Sequence, residues 1–422
     1  MADRDAGLVS AAVAEPRFDP LDPGVVADPY PHYAALRDRD PVHRSDLLCG
    51  WIVSRFDDVN AVLRDQSMSS DVRRATPTVV TQLEIEALEE HSKARQTIVH
   101  MDDPDHARVR SLMAEPFRVR QIGRLAPLVT ERVAAAVDHL YETYGDGEVE
   151  LDLVSDFAYP LPVEIFSTWL GMPPEAHPQF REWTSWVARS RDPLPPDERA
   201  RFFVALDAMH DYLAEQAEAK RRAPTDDLLS YLVHAHEGEA RLSHEELMAQ
   251  LVTLYMAGHE PTAGLVGNGV LALLDHPDQL VRLRSEPGLV PNAVSELLRF
   301  DGPNQFVRRI TTRPTVVGGV EMPAGTVLYP GLASANRDPR RWGDDAETVV
   351  VDRADADRHL QFAVGAHACL GSHLARLQAE HMLAAVLAHL EDLELAGEPV
   401  WSNRVFIRGL ASLPVRATLA PR

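Results

Sequence analysis

The chain has 422 residues, 45% hydrophobic and 25% charged, an ordinary globular balance with enough apolar side chains for a large core. Its formal net charge of -22 excludes a protein that tracks nucleic-acid phosphates. Two cysteines, Cys49 and Cys369, exclude a disulfide framework, and no apolar run approaches the ~20 residues of a membrane anchor.

The first five residues are charged and lack the apolar core of a signal peptide, so a cytoplasmic setting is expected. Residues 1–24 are rich in Pro and Asp and read as an irregular N-terminal segment, with 25–422 forming one domain. A short helix is expected over Tyr33–Arg39, a strand over Gly50–Ser54 and a helix over Phe56–Arg64. Residues 66–99 give weak signals and read as a loop. Asp102, Asp103 and Asp105 followed by Arg108 and Arg110 mark a helix start. His106 and Arg110 are four apart and share a face, where two donor groups suit a pair of carboxylates or face solvent. From Gln121 to Glu237 helices follow one another, broken at Gly145, Gly171–Pro174 and 192–196. The last break lies between helices at 176–189 and 197–221.

Ser243 and Glu246 form a capping box that opens a helix running to Leu274, about 32 residues or roughly 48 Å. Inside it lies Ala257-Gly258-His259-Glu260-Pro261-Thr262. The small residues admit a bulky planar group to the backbone, and Pro261 deprives the Ala257 carbonyl of its amide partner, so a kink is expected. Glu296 and Arg299 are three apart on one helix face, suited to an internal ion pair. Strands are expected over Phe306–Thr311, Val316–Met322, Thr326–Leu328 and Val405–Ile407, with turns at Gly318-Gly319 and Pro323-Ala324-Gly325.

Between them lies Gln361-Phe362-Ala363-Val364-Gly365-Ala366-His367-Ala368-Cys369-Leu370-Gly371. Gly365 permits a tight turn and Gly371 a close backbone approach. Cys369 precedes an apolar-periodic segment with no Pro or Gly until Gly397, where helix amides would stabilise a thiolate. A free cysteine is commonly a buried, inert apolar group. As a thiolate it is a soft metal ligand, too few alone for a zinc or iron–sulfur site but sufficient for the axial position of a haem iron.

Phe362, Gly365, His367, Cys369 and Gly371 fill all five places of a pattern: Phe, two residues, Gly, one residue, a basic residue, one residue, Cys, one residue, Gly. This loop resembles the haem-binding loop of the cytochrome P450 superfamily, and the resemblance runs from about 25 to 418. It implies a mainly α fold with a small β region, a single triangular helical domain around a buried haem b whose iron is bound by Cys369. His106, Arg110, His367 and Arg309, with Arg308 as its competitor, would hold the propionates. His359 would reach the haem edge. Ala257 and Gly258 match the haem-facing stretch of the oxygen-activating helix, and Glu260 matches its proton-relay acid. The usual relay threonine is Pro261 here. The alcohol must come from Thr262, about 100° further round the helix, from water or from substrate. Glu296, Arg299 and Arg353 match a structural trio. Residues 66–99 match a mobile loop over the substrate and 192–196 a lid. Tyr255, Met256, His259, Asn304, Gln305, Phe306 and Phe406 fall in substrate-lining segments.

The resemblance is to soluble bacterial members and implies a monomeric monooxygenase. It would activate dioxygen with electrons that start from NAD(P)H and arrive through a ferredoxin reductase and a ferredoxin. The substrate expected is an apolar or aromatic intermediate of secondary metabolism. Pro261 raises one alternative, oxidative ring coupling without oxygen insertion. Arg108, Arg118 and Arg376 are expected to form a basic patch for the acidic ferredoxin on the cysteine side. A haem sensor or electron carrier is the rival from another class.

Overall fold

Long apolar-periodic segments separated by Pro and Gly breaks make this a helical protein. A computed structural model describes residues 18–82, 85, 97–187, 189 and 195–419. The organising element is the helix His244–Leu274, 31 residues or about 46 Å long. Both halves of its capping box form: the Glu246 N–H donates to Ser243 Oγ (3.1 Å) and the Ser243 N–H to Glu246 Oε2 (2.8 Å). The helix is buried along most of its length, as an apolar sequence all round requires. It packs on the helices Pro160–Leu170, Val290–Asp301 and Ser372–His389.

Two apolar cores flank it. Leu265, Val266, Val270 and Leu273 meet Val133, Leu297 and Met382 on one side. Leu247, Leu251 and Tyr255 meet Phe166, Phe180 and Met209 on the other. A five-stranded sheet completes the N-terminal side, in the order Val42–Ser45, Gly50–Val53, Val327–Pro330, Arg309–Thr311 and Met68–Ser69. Only the pairing of Gly50–Val53 with Val327–Pro330 is parallel. That sheet delivers Arg309 to the interior.

Several elements differ from expectation. Across the end of the segment read as irregular, Pro23–Ala27 is a short helix capped by the Asp22 carboxylate. Phe18 and Val25 are buried, and Phe18 packs 5.5 Å from Tyr33 and 6.2 Å from Phe306 between ring centroids. The next helix starts at Tyr30, because Pro31 sits in the first turn, where its missing amide costs nothing. The strand expected from Phe306 shortens to Arg309–Thr311. Val405–Ile407 forms no strand; Ile407 makes a single bridge to Asn304, beside Pro303, which has no N–H to continue a ladder. The turn expected at Gly318 and Gly319 does form, with φ values of 53° and 86°, and makes residues 315–322 a hairpin of two short strands. Gly147–Asp152 and Leu390–Leu395, both in regions read as helical, pair with Pro414–Leu419 in a three-stranded sheet.

The expected helices at 176–189 and 197–221 are His177–Val187 and Pro196–Arg222. Most of the 192–196 lid, and residues 83–84 and 86–96 of the 66–99 loop, lie outside the described residues. Among the described residues no helix is long and apolar enough to cross a membrane.

Candidate active site

The cysteine loop is held by its own backbone. The Ala363 N–H donates to Leu360 O (2.8 Å), Ala368 to Gly365 O (3.1 Å) and Cys369 to Phe362 O (2.8 Å). Gly365 has φ 81°, and a Cβ there would lie 2.7 Å from the Leu63 carbonyl, so glycine is required. Ala363 is also left-handed, at φ 50°, a strain a loop tolerates when its surroundings over-determine it. Among the described residues no atom stands within 4 Å of where a Cβ at Gly371 would be, so no other part of the chain requires a glycine there.

Cys369 lies deep in the fold, yet its side chain is uncovered. It therefore borders a void and is not the packed, inert thiol that a free cysteine commonly becomes. Burial pushes the thiol's pKa up; the Gly371 N–H and the Arg110 guanidinium act in the opposite direction. A depression of about 460 Å³ opens here, lined by Arg110, Phe117, Arg118, Arg120, Cys369 and His373. Among the described residues no three His, Cys, Asp or Glu side chains are arranged to hold a metal ion, so a metal at Cys369 must bring its other ligands with it.

Around the loop stands a cluster of cationic and donor groups. The His106 and His367 rings are 4.1 Å apart between centroids. Arg110 donates from Nη2 to the Ala368 carbonyl (2.8 Å). Arg309 is buried, and burial pulls its guanidinium down to about 10. Burial and the charges of Arg309, His106 and Arg110 also lower the pKa of His367, to about 3. The half-buried Arg308 lends its carbonyl to Arg309 (2.7 Å), so Arg309 is the inward-facing member of the pair. Asp102 and Asp103 offset only part of this charge: Asp103 lies 3.5 Å from His106 Nδ1, while His106 Nε2 is buried without a partner. Buried donors short of counter-charge, beside an uncovered thiol, fit a haem with two propionates. His359 does not join them; its ring lies 5.4 Å from Phe362, with Arg376 Nη2 3.0 Å from its Nε2.

On the central helix, Ala257 is open and Gly258 half-buried, with only Phe166 at 4.0 Å from a Cβ placed at 258. This bare stretch leaves room for a flat group. The helix runs through Pro261, although that residue has no N–H to give to the Ala257 carbonyl. Thr262 is 3% exposed and donates its hydroxyl to the Gly258 carbonyl (3.1 Å), an i−4 bond that engages it with backbone. Its hydroxyl proton is thus engaged with the helix backbone one position on from Pro261. Glu260 is paired with Arg404, a residue sequence reasoning missed because nothing local links positions 144 apart.

The structural trio assembles as expected. Arg299 donates to Glu296 from Nε (2.7 Å) and Nη2 (2.8 Å), and Arg353 Nε lies 3.1 Å from both carboxylate oxygens. The remaining Arg299 donors reach the carbonyls of Asn336, Ala346 and Thr348, which ties the segment leading to the cysteine loop to the helix Val290–Asp301.

Three expected substrate contacts are core residues instead. Tyr255 is 1% exposed, stacks on Phe180 at 4.5 Å and donates to Ser167 Oγ. Gln305 accepts from the Tyr33 hydroxyl, and Phe306 packs 5.9 Å from the Tyr33 ring. Their apolar or amphipathic character is used in packing. His259 is also buried, its Nε2 3.1 Å from the Tyr159 carbonyl. Asn304 is half-buried and bonded to Gln361, while Met256 and Phe406 remain half-buried. The expected basic patch is also altered. Arg376 is turned inward to Ser295 and His359, and Arg108 is paired with Glu246, because half-buried carboxylates and hydroxyls lie within reach of each. Arg118 stays exposed.

Comparison with known proteins agrees with this geometry. The family model "Cytochrome P450" matches residues 52–410. The chain is 37% identical over 402 residues to a vitamin D(3) 25-hydroxylase of Pseudonocardia autotrophica, covering 94% of each chain. It is 38% identical over 398 residues to the cytochrome P450 monooxygenase PikC of Streptomyces venezuelae, covering 92% of this chain and 91% of that one. The solved structure of the Bacillus subtilis bacillaene polyketide synthase cytochrome P450 PksS superposes with a TM-score of 0.86 at 31% identity, over 96% of this chain and all of the other. The loop that bares one thiol beside the buried Arg309 and the donor groups of His106, Arg110 and His367 is thus the haem-binding loop of a cytochrome P450, the oxidoreductase family to which this chain belongs.

Proposed function

We propose that this chain hydroxylates an apolar or aromatic small molecule of secondary metabolism, with Cys369 as the residue that would bind the haem iron. Bound haem supplies the activation of dioxygen. Each further requirement falls to the chain's own residues. Gly371 N–H donates toward the sulfur and Arg110 lies beside it, so the thiolate is held by donors that temper its charge. His106, Arg110, Arg309 and His367 are the propionate ligands of this reading. Ala257 and Gly258 leave the open face on which a substrate can sit. Glu260 is the proton carrier, with water or a substrate hydroxyl in place of the absent threonine. The observation that carries the reading is the uncovered Cys369 thiol near the buried Arg309 guanidinium and the buried, unpartnered His106 Nε2.

Electrons arrive one at a time from NAD(P)H through a ferredoxin reductase and a ferredoxin. The depression beside Cys369, rimmed by Arg118 and Arg120 with the exposed Val119 between them, supports docking of an acidic carrier there. One observation favours a second reading, oxidative coupling of aromatic rings: Pro261 carries no hydroxyl, and that of Thr262 is bonded to Gly258.

The test is a screen of apolar and aromatic compounds for shifts in the spectrum of the haem-loaded protein. NADH consumption with added ferredoxin and reductase then follows for each hit. Hydroxylation gives products heavier by one oxygen; coupling gives dimers or cross-links with none. A protein that binds haem yet consumes no NADH with any hit would be a sensor or carrier.

A further inference from the structure

Among the described residues, Arg404, His259 and Tyr159 stand around Glu260. Arg404 donates from Nη1 to Glu260 Oε2, and the two side chains are 18% and 9% exposed. The His259 ring packs against Tyr159 at 4.2 Å between centroids. Burial pulls the His259 pKa down to about 3, so it is neutral and supplies no charge to Glu260. The Tyr159 hydroxyl stays protonated, its pKa raised by burial and then by the nearby Glu260 charge. His259 Nδ1 is buried without a partner among the described residues.

Arg404 reaches Glu260 from a loop clamped at both ends. On one side the Ser402 N–H donates to the Gly409 carbonyl (2.9 Å). On the other, Arg408 donates from Nε to Asp301 (2.9 Å) and from Nη2 to the Ala27 carbonyl (2.9 Å), with Trp401 stacked 3.4 Å from its guanidinium carbon. A guanidinium presented by so constrained a loop is a fixed feature of the site.

We propose that Arg404 is the positioning residue of Glu260, fixing its carboxylate beside Pro261 and keeping it charged until a proton is passed. This rests on the reading of Glu260 as the relay acid. A carboxylate this buried, stripped of an adjacent cation, takes up a proton at a higher pH and is free to rotate. Because Pro261 and Thr262 offer no free hydroxyl, the charge and orientation of Glu260 matter more here than where a relay alcohol shares the task.

The test uses the haem-loaded full chain as wild type, Arg404→Gln and Arg404→Lys, with Glu260→Gln to assign signals. The first readout needs no turnover: infrared titration of protein carrying carboxyl-¹³C glutamate. The protonated Glu260 band is expected to appear about 1–3 pH units higher in Arg404→Gln than in wild type, and to return toward wild type in Arg404→Lys. The second readout is product formed per NADH consumed, with peroxide release, from pH 6 to about 9. Arg404→Gln is expected to shift this profile in the same direction and to release more peroxide, with Arg404→Lys restoring it. An unchanged infrared titration in Arg404→Gln overturns the proposal. A shifted titration with an unchanged coupling profile upholds Arg404 as the positioning residue and instead removes Glu260 from the relay. Should Arg404→Gln fail to fold, Arg404→Lys decides alone, since a displaced Glu260 band there contradicts positioning by charge.

Discussion

Replacing Glu296 with Gln tests what holds the cysteine loop in place. The change keeps shape and volume but removes the charge shared by Arg299 and Arg353, and it turns an amide NH₂ toward donors. Glu296 and Arg299 are both 0% exposed, and the carboxylate also accepts from the Val350 N–H at 2.9 Å. Breaking one partner of such a buried pair costs about 3–5 kcal/mol, against a total stability of about 5–15 kcal/mol. At an unfolding entropy of about 2.1 cal/mol/K per residue, 422 residues give about 0.9 kcal/mol/K, so the loss lowers Tm by about 3–6 °C. Differential scanning calorimetry measures it, and haem retention on a gel-filtration column is expected to fall in parallel. Arg416→Gln is the control: that arginine bridges Glu150 and Glu394 on the solvent face of the C-terminal sheet, where water screens the pairs, and no shift is expected. A Glu296→Gln protein that melts with wild type and keeps its haem would refute the argument.

Removing His106 or Arg110 as alanine variants is expected to weaken haem binding by roughly 10- to 100-fold each, the loss of about 1.5–3 kcal/mol of charge-assisted bonding, measured by haem transfer to apomyoglobin. Tyr255→Phe is expected to cost about 1 kcal/mol through the lost bond to Ser167 and to leave ligand-induced spectral shifts unchanged; altered shifts at unchanged stability would return Tyr255 to the substrate pocket. The buried rings of His259 and His359 both have pKa values pushed down by burial from 6.5 to about 3. They are neutral in the fold and protonated in the unfolded chain below about pH 6.5, so stability is full above that value and falls as pH drops toward 3. The loss is up to about 1.4 kcal/mol per pH unit for each ring; urea melts at pH 7 and pH 5 measure it, and equal midpoints would contradict neutral burial.

What the sequence made legible was local. The capping box at Ser243 and Glu246, the glycine at 365 and the Glu296–Arg299 spacing each report on atoms within a few residues. The contacts that assemble the site are long-range. The Arg404–Glu260 pair joins segments 144 residues apart, and Ser70 meets His367 across 297 residues, with no residue pattern announcing either. Tyr255 and Phe306 were read as pocket residues because aromatic side chains serve cores and pockets alike; only the direction of the side chain separates the two uses. Gly147–Asp152 alternates buried and exposed residues in the structure, yet six residues beside a long helical pattern give too short a period to stand out.

The most direct test of the central claim is the absorption spectrum of the reduced, carbon-monoxide-bound protein after haem loading, recorded for wild type and Cys369→Ser. The wild type is expected to show the red-shifted band of thiolate coordination, and the serine variant to lose it while far-UV circular dichroism stays the same. An unshifted band in the wild type, or a red-shifted one that survives Cys369→Ser, would contradict Cys369 as the ligand of the iron.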